Sequence, residues 1–321
     1  MIRTGQLRCY ASANMPENNS SISGGAIDLT TVVDFYDFTV VGTLQVVSSD
    51  PADTSQLVTV YGRDASGVIR NETLALNGQT VVPGEILFER LMKATKDSSV
   101  LGDVAIEQST AVLAGTVVSG TSDQVVISPA ASSVTASYVG LVFRVTGGTS
   151  VGTLAKVLWY DGPNRILTLD KEVVLDTTST YRLSPGFLFN RSPHNITTIR
   201  RPFYGAAAAV PSGSDRVFYE KIFFRNDATG ALLAPVVVRE VSNPTGRVSF
   251  GVDPVMPSTG STFDRLTSPS GILDFGLAYQ SAPVIDLSPA SAVGVWLKLD
   301  VPAGQAPSRS AYALQLSGQT T

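Results

Sequence analysis

The chain has 321 residues, 43% of them hydrophobic and 16% charged, with a mean hydropathy of +0.17. This excludes a disordered polymer and leaves room for two or three domains with cores of their own. A formal net charge of −4 and a pI near 5.1, with 23 Lys and Arg scattered along the chain, give no basic footprint for direct contact with DNA or RNA.

A charged fraction well below the roughly 25% of an average soluble domain, with 28 Gly and 18 Pro at short intervals, favours β-structure with many turns. The single cysteine, Cys9, excludes an intrachain disulfide, so robustness must come from packing and assembly. No apolar h-region opens the sequence and no apolar run is long enough to span a bilayer. The expectation is a protein made in the cytoplasm, and the sequons at Asn19, Asn71 and Asn195 are then chance matches.

Residues 1–25 are polar, carry Pro16 and Gly24-Gly25 and show no sustained period, which predicts an N-terminal arm lying over a neighbour or loosely ordered. Short extended runs follow at Thr31–Phe35, Phe38–Val47, Leu57–Tyr61 and Val68–Leu76. The last two flank Asp64-Ala65-Ser66-Gly67, a hairpin turn with glycine where positive φ is needed. Gly84–Lys96 has helix propensity but only part of a helical stripe, so helix and strand both stay open there. Strands resume at Val100–Ile106 and Val112–Val118.

The stretch TGGTSVGTLAKVLWYDGPNRILTLDKEV, residues 146–173, opens like a phosphate-cradling loop. A Walker loop needs Lys-Ser/Thr directly after its last glycine, whereas Gly152 is followed by Thr153-Leu154 and Lys156 comes too late. Ala155–Tyr160 and Arg165–Asp170 are strand-like runs around Asp161-Gly162-Pro163-Asn164, a hairpin signature in which the glycines turn the chain. Further strands are predicted at His194–Ile199, Arg216–Asn226, Ala231–Val241, Arg247–Val252, Gly294–Val301 and Tyr312–Leu316. Their spacing indicates sandwiches or small barrels.

Residues 115–183 resemble a small β-module that recurs in tailed-bacteriophage virion proteins. The resemblance is carried by GTVVSGTSDQVVIS, by Tyr138-Val139-Gly140 opening a strand, by Gly147-Gly148-Thr149-Ser150-Val151-Gly152, by LWYDGPNRILTLDKEV and by the closing Ser179-Thr180-Tyr181. Val139 stands where such modules commonly have asparagine, and Glu172-Val173-Val174 where they commonly have tryptophan. Weaker likeness to phage structural proteins lies in YASANMPENNSSISGGAIDL, VTVYGRDASGVIRNETLALNG, VFYEKIFFRNDATGALL and GVWLKLDVPAGQ. The resemblance implies a structural component of a phage particle, a capsid decoration (cement) protein or a neck or tail component, and no enzyme.

The lone His194 lies on an expected linker with no metal or catalytic partners visible at suitable spacing, and no GxSxG elbow occurs. Asp28, Asp34 and Asp37, and Asp50 with Asp53, fit no calcium loop and read as solvated strand ends. A distant carboxylate pair for glycoside hydrolysis stays open. Arg200-Arg201-Pro202 reads as a solvated basic loop. In the aromatic pairs Phe35-Tyr36, Trp159-Tyr160, Phe203-Tyr204, Phe218-Tyr219 and Phe223-Phe224, alternation turns one ring in and one out.

The expectation is therefore an all-β, multidomain chain: an arm at 1–25, an immunoglobulin-like or jelly-roll-like β-sandwich at 26–114, a small barrel-like module at 115–185 and a C-terminal β-sandwich at 186–321. The expected role is capsid decoration in the virion, with the major capsid protein as partner and a small cyclic homo-oligomer as the assembly. Contacts are expected through Tyr10, Met15, Pro16, Tyr138, Trp159 and Tyr160. No cofactor, metal, catalytic residue, nucleic acid or membrane is expected. The alternatives are a neck, tail or fibre protein displaying the module to host surface glycans and, remotely, a carbohydrate-active enzyme.

Overall fold

The computed structural model describes residues 6–34, 38, 40–189, 194–204, 213–272, 274–304 and 312–320. The chain is all-β, and among these residues there is no α-helix. It divides into two units, Met1–Val33 with Arg201–Thr321, and Asp34–Arg200.

The first unit opens with β1 (Leu7–Asn14) and β2 (Ser23–Val33). The second comprises β3 (Leu44–Ser48), β4 (Leu57–Arg63), β5 (Ile69–Ala75), β6 (Val82–Pro83), β7 (Arg90–Lys96) and β8 (Val104–Gln108). It continues with β9 (Leu113–Thr116), β10 (Ser119–Val126), β11 (Val142–Gly147), β12 (Leu154–Asp161), β13 (Ile166–Leu175) and β14 (Thr180–Ser184), then β15 (Gly186–Phe189) and β16 (Thr198–Arg200). The first unit resumes with β17 (Arg216–Asn226), β18 (Leu233–Ser242), β19 (Val248–Val252), β20 (Ser261–Thr262), β21 (Tyr279–Ser281), β22 (Ala292–Val301) and β23 (Ala313–Thr320).

In the first unit a sheet in the order β19-β22-β17-β1-β2, with β20 on β2, faces the sheet β21-β18-β23. Ile222, Phe250, Val293, Val295 and Leu297 from one layer and Leu233, Val236, Val238 and Leu316 from the other fill the space between them. This is a two-layer sandwich whose inner faces exclude water. The expected polar arm is corrected here for its described residues. β1 pairs with β2 on one edge and β17 on the other, and Tyr10 and Ala11 are fully buried. Register shifts on the β1–β2 edge interrupt the two-residue period, which is why the segment reads as irregular in sequence.

The second unit holds the sheet segment β16-β7-β4-β5, the sheet β15-β8-β3-β6 and the six-stranded sheet β10-β13-β12-β11-β14-β9. The hairpins expected at Asp64–Gly67 and Asp161–Asn164 are β4–β5 and β12–β13. The glycine-rich loop turns β11 into β12. Gly148 has a φ of +74°, and a Cβ there would stand 2.0 Å from the Thr178 carbonyl oxygen, so the position admits only glycine.

The open reading at Gly84–Lys96 resolves to strand over Arg90–Lys96. β7 pairs with β4 and β16, and a bulge at Met92 puts both Leu91 and Met92 inside. That break in alternation is what imitates part of a helical stripe.

Candidate contact surface

The six-stranded module is fixed to the small sheet of its own unit by a buried ionic contact. Gln45 and Glu107 oppose each other across β3 and β8, while Arg144 and Arg182 oppose each other across β11 and β14. The Glu107 carboxylate is fully buried. Its Oε1 accepts from Arg144 Nε at 2.7 Å and from Gln45 Nε2 at 2.8 Å, and its Oε2 faces Arg182 Nε at 3.6 Å. Arg182 also donates to the carbonyls of Gln108 and Ser109. Apolar contact among Val47, Ala105, Val142, Leu154 and Leu188 surrounds this ionic pin. Lys171 pairs with Asp103, and Lys156 with Asp34 at 2.8 Å, at its rim. The module is thereby held as a platform against the small sheet.

On that platform the outer face of β10, β13 and β12 presents Trp159, 52% exposed. Ala155 and Val157 point inward, and strict alternation would turn Trp159 inward as well. One extra residue, Leu158, sits between Val157↔Leu169 and Trp159↔Thr168, so the phase reverses. Trp159 is turned out and Tyr160 in. Gln124, Thr168 and Trp159 form one row across the three strands, and Val126, Ile166 and Asp161 form the next. A flat indole beside hydroxyl, amide and carboxylate groups can cover an apolar ring or sugar face and hydrogen-bond its rim.

A second face of this unit carries a row of threonines, Thr73, Thr59, Thr95 and Thr198, on β5, β4, β7 and β16. The hydroxyls of Thr59 and Thr73 lie 2.9 Å apart. In the next row Tyr61 lies between Asn71 and Lys93, whose ammonium stands 4.8 Å from the ring centroid. In the first unit, Phe263 is 83% exposed directly after β20, and Tyr279 is 62% exposed on β21.

The first unit also contains a buried polar cluster that sequence reading missed. Lys221 of β17 is fully buried between the rings of Phe223 and Trp296, with Nζ 3.1 Å from Asp253 Oδ2. Its ammonium also donates to Ser258 Oγ, which in turn donates to Asp253. Burial pushes the Lys221 ammonium below its ordinary range, partly offset by Asp253. Burial raises the Asp253 carboxyl, but the bond from Ser258 and the Lys221 charge outweigh this and hold it below 3.8. Lys221 and Ser258 are both sealed from solvent, so the cluster ties the segment after β19 to the sheet. On the opposite face of β17, Glu220 meets Arg265 at 3.3 Å and accepts from the Phe203 amide. Alternation in β17 would have revealed two adjacent charges committed to opposite buried faces.

Of the six expected contact residues, Trp159 is displayed and Met15 is half-buried. Tyr10, Pro16, Tyr138 and Tyr160 are corrected to interior positions. Tyr10 donates to Asp227 Oδ2 at 2.6 Å. Tyr138 accepts from the Ser132 amide and packs on Tyr160 with centroids 4.7 Å apart, and Tyr160 donates to the Ser132 carbonyl. Their hydroxyls serve turns that pin the module, a role compatible with aromatic burial.

Among the aromatic pairs, Phe218 and Tyr219 are both buried, because β17 is covered on both faces; Phe35-Tyr36 lies outside the described residues. Arg200 and Arg201 are buried, not solvated. His194 is half-buried, and its carbonyl accepts from the Ile196 amide.

Asp28 accepts from Thr30, and Asp50 from the Ala52 amide. The buried Asp53 accepts from Ser48 and from the amides of Leu101 and Gly102, so it organises a turn. Asp37 lies outside the described residues. Among the described residues no group of three or more His, Cys, Asp or Glu is placed to hold a metal ion.

No protein-family description, curated protein or solved structure matches the chain.

Proposed function

We propose that the protein is a structural component of a tailed-bacteriophage virion, a capsid decoration protein that binds the outer surface of the shell and stabilises it. The observation that carries this reading is the display of Trp159 on a platform held by the buried Glu107–Arg144 pair. A bulge that turns an indole outward from a rigid sheet builds a binding face, and large aromatic anchors dominate binding energy. The resemblance of residues 115–183 to phage β-modules supplies the particle.

As mechanism, the protein bridges neighbouring capsid subunits and adds buried interface that opposes the pressure of packaged DNA. About 800 Å² per partner makes a stable contact, and repetition over symmetric sites multiplies its effect.

The Gln124–Thr168–Trp159 row favours a second reading. An indole flanked by hydroxyl and amide groups suits a sugar ring, so the module could equally be displayed to host glycans from a neck, tail or fibre. Copy number in purified particles separates the two. On the order of hundreds of copies per particle supports decoration, whereas about three to twelve supports neck or tail. Absence from the particle overturns both.

A further inference from the structure

Sheet edges expose unpaired amide and carbonyl groups, and folded proteins guard them with charges, prolines, bulges or short length. Among the described residues the sheet edges follow that rule, with one exception. β5 carries Arg70 and Glu72. β6 ends on Pro83 after two residues, and β9 and β15 are four residues long. β10 is broken by a register shift after Ser122, whose φ is +67°, and carries Asp123. β21 has three residues. The edge of β19 is capped by a side chain: Gln280 Nε2 donates to the Phe250 carbonyl at 2.9 Å, and its Oε1 accepts from the Val252 amide at 2.8 Å.

β23 has none of these devices. It is eight residues long, ALQLSGQT, with no charge and no proline. Among the described residues it is paired with β18 alone, and the extra residues in that ladder lie on β18, leaving β23 regular. Its inner face carries the buried Leu316 and, partly buried beside it, Leu314, while Gln315 and Gln319 are exposed.

We propose that β23 is a self-association edge that pairs antiparallel with β23 of a second copy of this chain about a two-fold axis. An antiparallel pair related by a two-fold axis keeps the sum of paired residue numbers constant. When that sum is even, inner residues meet inner residues, so Leu314 and Leu316 continue the apolar layer while Gln315, Ser317 and Gln319 continue the polar one. The second copy is the fitting occupant because an uncharged edge offers nothing to select a charged partner, and this strand supplies an equally unguarded edge of matching pattern. The result is one continuous sheet, β21-β18-β23 followed by its two-fold mate. The inference does not depend on a place in a virion.

Sedimentation equilibrium of the purified full chain over a hundredfold concentration range tests it. The wild type is expected to be a dimer at the upper end. The double variant Ser317→Lys, Gln319→Lys, which places like charges on the edge, is expected to raise the dissociation constant at least tenfold while far-UV circular dichroism stays unchanged. A wild type that is monomeric throughout, or an assembly the lysines leave intact, overturns the proposal. Should the variant fail to fold, hydrogen exchange of the wild type decides. Amides of residues 313–320 that slow with rising concentration support pairing through this edge, and exchange independent of concentration overturns it.

Discussion

Lys221 and Asp253 meet at 3.1 Å across an intervening strand, because Gly294 of β22 leaves the space between them open. A Cβ at Gly294 would stand 3.1 Å from Lys221 Cε and 3.3 Å from Asp253 Cβ, so any larger residue crowds the link. The pair fastens the segment after β19 over the middle of the sheet. Removing one member of a buried pair strands the other. Lys221→Met is expected to lower unfolding free energy by about 3–5 kcal/mol. Adding Asp253→Asn should recover part of that loss, since no uncompensated charge then remains. Urea unfolding of the two variants checks both statements.

Glu107 accepts from Arg144 and Gln45 and is the counter-charge facing Arg182 at 3.6 Å, between the module and the small sheet. Glu107→Ala leaves two guanidinium groups facing each other without a counter-charge, and a loss of about 3–5 kcal/mol is expected by chemical denaturation. Glu107→Gln keeps an acceptor for one donor and should lose less.

Trp159 and Tyr160 are neighbours with opposite duties. Trp159→Ala is expected to change stability by less than about 0.5 kcal/mol, as an exposed site should. Tyr160→Ala empties a place in the module core and should cost about 3–5 kcal/mol. Paired thermal and urea unfolding curves distinguish them, and on the proposed function only Trp159→Ala should weaken attachment to the particle while leaving the fold intact.

Asp176 accepts hydrogen bonds from the hydroxyls of Thr178 and Thr149 and from the Thr178 amide, which lower its carboxyl from 3.8 to about 2. A carboxyl lowered on folding contributes stability that is present above its unfolded value and lost as pH falls through the folded one. The contribution of this turn should therefore fade between pH 3.8 and about 2. Carbon-detected NMR titration should place the Asp176 midpoint near the lower value, and Thr178→Ala together with Thr149→Ala should return it towards 3.8.

Much of this architecture was legible in sequence where local rules agree. Arg216–Asn226 was expected and found as β17 with those limits, and the turns at 64–67 and 161–164 fixed two hairpins. Reading failed where a strand departs from alternation. The bulge at Met92 imitated a helix, and the shifts beside β1 imitated an arm. The bulge at Leu158 makes Trp159 the outward member of its pair, which alternation alone could not decide. Glu107 and Arg144, or Lys221 and Asp253, are far apart in the chain, and no local pattern announces pairs made by tertiary packing.

On the proposed function, outer β-faces of this chain hold it to neighbouring proteins of a particle. A density map of the phage particle to which the proposed function assigns the chain, resolved well enough to place side chains, tests this most directly. The account predicts the chain on the shell exterior with the Trp159 face buried against a capsid subunit. Trp159 facing open solvent in every copy, or no density for the chain anywhere in the particle, would contradict it.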